Sequence, residues 1–262
     1  MMWNKYPFAK RKPGYEIQNK QNVTEVYIYD AIGWLGVEAE TFIKDLKDIE
    51  GDVLVRINSP GGSVFDGTAI FNAIKERQDR TDTIVDGVAA SAASYIALAG
   101  NTVSMSEGAF LMIHEPFSIA IGSAEDFRKE AGLLDKVSDQ IAKFYAKKSG
   151  KDLSEVKQAM ADETWFNDVE AKEFGLVDSI VEENPAENYF DLSVFNNVPD
   201  KLLVSEDSET LKPKDIEQAL RDAGMSRQQA KAFYAEGKRA LDEDDSWASI
   251  IRLTNDMRRG VK

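Results

Sequence analysis

Apolar and polar residues alternate along Thr24 to Asp30 (TEVYIYD), the two-residue period of a strand. From Val37 to Ile49 the pattern changes. Val37, Phe42, Ile43 and Leu46 are spaced among acidic and basic residues, which predicts an amphipathic helix. Val53 to Ile57 (VLVRI) is a short apolar run of buried-strand type. NSPGGS, Asn58 to Ser63, then signals a turn, and Val64 to Arg77 reads as a helix with Phe65, Ala69, Ile70, Ala73 and Ile74 on one face. A strand at Thr83 to Val88, a helix of small residues at Ser91 to Leu98, and strands at Thr102 to Met105 and Ala109 to Ile113 continue the alternation. Strands and helices taking turns in this way predict an α/β fold with a largely parallel sheet.

Ser123 and Asp126 have the spacing of a capping box, and Phe127, Ala131, Leu134, Val137, Ile141, Phe144 and Tyr145 recur every three or four residues to about Ser149, where Gly150 stops the helix. Such a helix is about 39 Å long. Periodicity alone allows it to lie across the core or to project toward another subunit. Helices at Leu153 to Ala161 and Val169 to Phe174 and a strand at Leu176 to Val181 follow. The segment MADETWF, Met160 to Phe166, reads as a helix end.

The expected organisation has four parts. Residues 1–22 form a loosely attached basic arm, 23–183 the main domain, 184–210 an acidic linker with some clinging apolar contacts, and 211–262 a small helical C-terminal appendage. Helices are expected at Pro213 to Leu220, Ser226 to Leu241 and Ser246 to Arg259.

A composition of 43% apolar and 30% charged residues is that of an ordinary globular protein. The formal net charge of −14 argues against nucleic acid or an anionic membrane surface as the main partner. The arm runs the other way: Lys5, Lys10, Arg11, Lys12 and Lys20 against Glu16 make it +4. There is no cysteine, hence no disulfide framework and no thiolate nucleophile or metal site. No apolar run approaches the length of a membrane span, and the N-terminus lacks the apolar core of a signal peptide, so a cytoplasmic protein is expected.

With one histidine in 262 residues, chemistry that needs a base near neutrality falls to His114. Ser91 and Ser94 are the nearby nucleophile candidates. Ser91 starts a helix after a strand, where unpaired backbone N–H groups suit a developing oxyanion, and its alanine neighbours let a substrate backbone approach. Alone, AASAAS is what an N-cap or a packing residue looks like, a lone histidine is usually structural, and Gly61-Gly62 is a tight turn. Together they follow strand ends, where ligand sites of α/β sheets gather. A third, carboxylate member has many candidates, among them Asp162 and Glu163.

Taken together, INSPGGS (Ile57 to Ser63), GVAASAASYIALAG (Gly87 to Gly100), FLMIHEP (Phe110 to Pro116) and ETWFNDVEAKEFGLVDSI (Glu163 to Ile180) resemble the four motifs of the Clp protease proteolytic subunit family, in order, across about residues 24–183. The resemblance implies the Clp/crotonase-like spiral of β-β-α units and a serine endopeptidase without metal or cofactor. In that assignment Ser91 is the nucleophile, His114 the base, and the Gly62 and Ala92 N–H groups form the oxyanion hole. Alignment back from GLVD places Glu163 on the position of the family's aspartate, with Asp162 the alternative one residue away. It also implies a homo-oligomeric ring acting on polypeptides, with the long helix as a subunit contact, and leaves a Clp-type ATPase partner open. DGVAASAAS, MIHEP, Met160-Ala-Asp-Glu-Thr-Trp165 and the tail from Leu211 to Leu241 are similar to the phage and prophage head-maturation branch. A capsid or scaffold protein is the substrate expected from that likeness. The alternatives are a housekeeping-type subunit working with an ATPase and a non-catalytic scaffold on the same fold.

Overall fold

The computed structural model describes residues 14–20, 23–33, 36–118, 120–182, 186, 190, 192, 194–202 and 231. Contacts divide the chain into two compact units, Met1–Val204 and Ser205–Lys262. Every element named below belongs to the first. The expected C-terminal helices lie outside the described residues, apart from the single helical residue Lys231.

The first unit is mixed α/β. Strands β2 (Thr24–Ile28), β3 (Val53–Ser59), β4 (Thr81–Ala90), β5 (Val103–Ser106) and β8 (Ser179–Val181) run parallel in that order. Parallel strands need crossovers, and helices α1 (Ala39–Asp48), α2 (Val64–Glu76) and α3 (Ala92–Ala97) supply three of them. Phe42 and Leu46 of α1 and Ile70 and Ile74 of α2 are buried in one core with Val55 and Ile57 of β3. Burial on both faces explains why β2 has no exposed position.

Tyr15–Asn19 departs from the expected loose arm. It forms β1, antiparallel to β2, with Tyr15 opposite Ile28 and Asn19 opposite Thr24. One residue explains the anchorage. The Tyr15 ring meets Phe42 edge-on at 5.2 Å, and its hydroxyl donates to Asp45 Oδ2 at 2.6 Å. Residues 1–13 of the arm lie outside the described residues.

β4 decides where the remaining strands go. Its first half pairs with β5, from Thr83–Val103 to Val85–Met105. Its second half leaves β5 and pairs with β6 (Phe110–Ile113), from Val88–Phe110 to Ala90–Met112. β6 in turn pairs antiparallel with β7 (Thr164–Asn167). Thus the stretch expected to be a helix end does hold one, at Ala161 with Asp162 as C-cap, and then turns into a strand: TWFN has the aromatic and β-branched residues that a pleated, half-buried surface favours. α6 (Asp168–Phe174) starts directly after it, capped by Asn167 and stopped by Gly175.

The long helix is α4 (Ala124–Ser149), with both capping-box bonds between Ser123 and Asp126 present and Gly150 left-handed at its end. Only Ile141, Ala142 and Tyr145, all near its C-terminal end, are buried. Val137 and Phe144 pack against the core from the same half, and the first three turns carry no buried residue, so the helix does not lie across the core. α5 (Leu153–Ala161) follows.

The expected acidic linker is more firmly held than clinging contacts suggest. Leu192, Phe195 and Leu202 are buried against Val88, Ala90, Phe110 and Met112 in a second apolar cluster, on the β4–β6 branch of the sheet. We refer to 192–202 as the strap.

Candidate active site

The fork in β4 brings the sequence-selected residues together. Ala90 pairs with Met112, so the residue after β4, Ser91, and the residue after β6, His114, emerge side by side. Ser91 donates its backbone N–H to Met112 O at 3.1 Å. Its φ of 53° lies in a region that non-glycine residues seldom occupy. This sharp strand-to-helix turn presents the side chain to His114, whose Nε2 lies 2.7 Å from Ser91 Oγ. In the tautomer with the proton on Nδ1, Nε2 accepts from the serine hydroxyl.

The imidazole sits between Phe195, 5.4 Å away and edge-on, and Phe117 at 5.9 Å. Burial lowers its pKa below the ordinary histidine value, and the negative charge of Glu163 opposes that shift. A neutral imidazole at physiological pH is the form able to take a proton.

The β6–β7 pairing places Ile113 opposite Thr164, so Glu163, immediately before β7, arrives beside His114. Glu163 is only 9% exposed and has a φ of 48°. No hydrogen bond joins its carboxylate to His114 among the described residues. Instead, Oε1 accepts the Asn197 backbone N–H at 2.7 Å and Oε2 accepts Asn196 Nδ2 at 3.1 Å. Burial pushes this carboxyl up, but the donors from Asn196 and Asn197 outweigh it and hold the pKa below the usual carboxylate value. His114, Met160, Glu163, Phe195 and Asn196 line one cavity of about 270 Å³.

Asp162 stands apart. It is exposed at the end of α5, and its Oδ1 accepts from Gln158 Nε2 at 2.9 Å. Ser94 is wholly buried. Its hydroxyl donates to Ser91 O at 2.6 Å and meets the Tyr145 hydroxyl at 2.6 Å, so it has no access to substrate. The structure therefore gathers Ser91, His114 and Glu163 and leaves Asp162 and Ser94 out.

The glycine turn after β3 lies directly against Ser91. A methyl group on Gly61 would stand 2.5 Å from Ala90 O, 2.7 Å from Ser91 Cβ and 2.9 Å from Ala92 N. Gly62, at φ 144°, is held by its neighbours: Ile32 N–H donates to Gly61 O at 2.8 Å and Ser63 N–H to Ile32 O at 2.9 Å. The Gly62 N–H itself has no acceptor among the described residues. Ala92 is the first residue of α3, where an N–H has no intrahelical acceptor. A second cavity, about 570 Å³, opens beside Gly62 and is lined by Ile32, Glu38, Ser63 and Asp66 among others.

Asn196 and Asn197 were not singled out from the sequence. An Asn pair in an acidic, Asn-rich stretch carries no distinguishing signal.

Among the described residues no group of acidic or histidine side chains is placed to hold a metal ion, and no helix is long and apolar enough to cross a membrane.

The family model described as Clp protease matches residues 36–184. The ATP-dependent Clp protease proteolytic subunit 2 of a Synechococcus species is 29% identical over 153 residues, which cover 58% of this chain and 78% of that protein. Proteolytic subunit 1 of Prochlorococcus marinus is 30% identical over 154 residues, 58% of this chain and 79% of the relative. Proteolytic subunit 2 of Parasynechococcus marenigrum is 30% identical over 151 residues, 57% and 77%. Gly62, Ser91, Ala92, His114 and Glu163 all fall within the family match; Asn196 and Asn197 fall beyond it.

Proposed function

Because the chain belongs to the Clp protease family and is thereby a serine peptidase, we propose that Ser91 is its nucleophile and His114 its general base. The observation that carries this reading is the 2.7 Å contact between Ser91 Oγ and His114 Nε2. Oγ attacks a peptide carbonyl while its proton passes to Nε2. The carbonyl oxygen becomes an oxyanion facing the Gly62 and Ala92 N–H groups, and donors of this kind are worth about 3 kcal/mol each in comparable enzymes. His114 then protonates the leaving amine, and water, deprotonated by the same imidazole, releases the acyl group. Glu163 stabilises the imidazolium in between. An acyl-CoA reading on the related crotonase fold would use the backbone donors and leave the Ser91–His114 pair idle.

The test is a fluorophosphonate label followed by peptide mapping. Label is expected on Ser91, and Ser91→Ala and His114→Ala are each expected to abolish peptide cleavage. Full cleavage by either variant would end the proposal.

The finer role proposed is processing of capsid or scaffold protein during phage head maturation, in the cytoplasm of the host or in the assembling prohead. It is supported by the likeness of DGVAASAAS, MIHEP and the sequence from Leu211 to Leu241 to that branch. The relatives, ATP-dependent by name, favour a second reading, a subunit that works with an ATPase. Cleavage of a co-expressed capsid protein without any ATPase supports the first; a requirement for ATP and an ATPase supports the second. A homo-oligomeric ring fits either role. The exposed Phe127 and Leu133, 51% and 43% accessible on the projecting part of α4, support a subunit contact there.

A further inference from the structure

We propose that Asn196 and Asn197, on the strap beyond the family-matched segment, are positioning residues that hold the Glu163 carboxylate in register with His114. The proposal rests on the peptidase reading above and adds to it the means by which a glutamate serves as the third member.

A glutamate has one more rotatable bond than the aspartate whose position it takes. Left free, its carboxylate would sample several rotamers, and only some face the imidazole. The backbone restricts one end: Glu163 has a φ of 48°, and its N–H donates to Met160 O at 3.1 Å. The strap restricts the other. One donor goes to each carboxylate oxygen, at 2.7 Å from Asn197 N and 3.1 Å from Asn196 Nδ2. Asn197 Nδ2 also donates to Asp162 O at 2.9 Å, tying the strap to the residue before Glu163. A carboxylate offers about four lone-pair directions, so two donors leave room for the imidazole N–H.

The strap is itself located by its apolar residues. Phe195, next to Asn196, is buried and touches both flanks of the site, with its ring edge-on to His114 at 5.4 Å and to Trp165 at 5.8 Å. Phe195 therefore packs directly between the strap's donors and the base, with Leu192 and Leu202 anchoring the segment on either side. The matched family segment ends at residue 184, so this support comes from chain that the family model does not describe.

The test is a double-mutant cycle on the full chain, read as kcat and KM for one peptide substrate. Asn196→Ala removes one donor, and Asn196→Asp, nearly the same shape, sets a like charge against Glu163. Each is expected to lower kcat about tenfold or more with KM within about twofold, and to cost nothing further in a Glu163→Gln background. Wild-type kcat in both variants, or the same fold-loss with and without the Glu163→Gln change, would overturn the positioning role. A wild-type protein that neither labels at Ser91 nor cleaves would instead overturn the peptidase reading beneath it. If Asn196→Ala does not fold, the Asn196→Asp cycle decides alone.

Discussion

The Ser94 hydroxyl and the Tyr145 hydroxyl meet at 2.6 Å with both side chains buried, linking the helix that follows Ser91 to the root of the projecting helix. Ser94 spends its single proton on Ser91 O, so Tyr145 is the donor in this contact. The two partners are therefore not equivalent. Tyr145→Phe removes a donor and leaves Ser94 with its own bond, at a cost of about 1 kcal/mol. Ser94→Ala strands the buried Tyr145 hydroxyl, for about 1–3 kcal/mol, while Ser91 O keeps the residue-94 backbone N–H at 3.0 Å. Urea unfolding is expected to rank Ser94→Ala as the less stable variant; the opposite ranking would show that the donor has been assigned the wrong way round.

Gly61→Ala is expected to reduce peptide cleavage and fluorophosphonate labelling together, by about a hundredfold. The added methyl would meet Ala90 O, Ser91 Cβ and Ala92 N, all at under 3 Å, at a φ of 88° that already disfavours any side chain. Two of those atoms are backbone and one is the Ser91 Cβ, so relief must come from moving Ser91. Labelling at the wild-type rate would mean that the turn can shift without disturbing it.

The rising acid limb of kcat/KM is expected below pH of about 6.5, the ordinary histidine value, because burial lowers the His114 pKa. Only the neutral ring accepts the Ser91 proton, so activity persists to lower pH than an exposed histidine would allow. Glu163 opposes the shift, so Glu163→Gln is expected to move the limb to still lower pH while reducing kcat. The same sign applies to folding. Between the folded and unfolded pKa values the unfolded chain binds more protons, so this contribution to stability is present above about pH 6.5 and is lost as pH falls through the folded value. A limb above 6.5 in the wild type would contradict the burial argument.

Asp162→Asn is expected to leave kcat within about twofold and Glu163→Gln to lower it by about a hundredfold or more, since replacing the orienting acid of a serine protease triad by its amide costs heavily. Asp162 is exposed and bonded to Gln158, whereas Glu163 faces the cavity that His114 lines. Comparable losses in the two variants, read in one peptidase assay, would remove Glu163 from this role.

Much of this was legible in the chain because the informative signals are local. The buried-strand run at Val53, the small-residue helix after Ser91 and the capped helix from Ser123 each report their own secondary structure through periodicity or turn chemistry. The single histidine made the base unambiguous once serine chemistry was considered. What stayed hidden depends on partners far along the chain. Tyr15 looks like part of a loose arm until Phe42 and Asp45 are beside it. Thr164–Asn167 becomes a strand because β6 offers an edge, not because four residues specify one. Asn196 and Asn197 gain meaning only through Glu163, more than thirty positions earlier.

β6 has four residues, pairs with β4 on one side and β7 on the other, and is buried throughout. A slip of one residue on either side would move His114 about 3.4 Å along the strand and turn each apolar side chain to the wrong face. Alignment of the reactive atoms and burial of Phe110 to Ile113 are thus two readouts of one registration. Loosening of this strand would degrade turnover before it registers as a fall in Tm, which makes catalytic rate the finer gauge of how well this small patch of core is assembled.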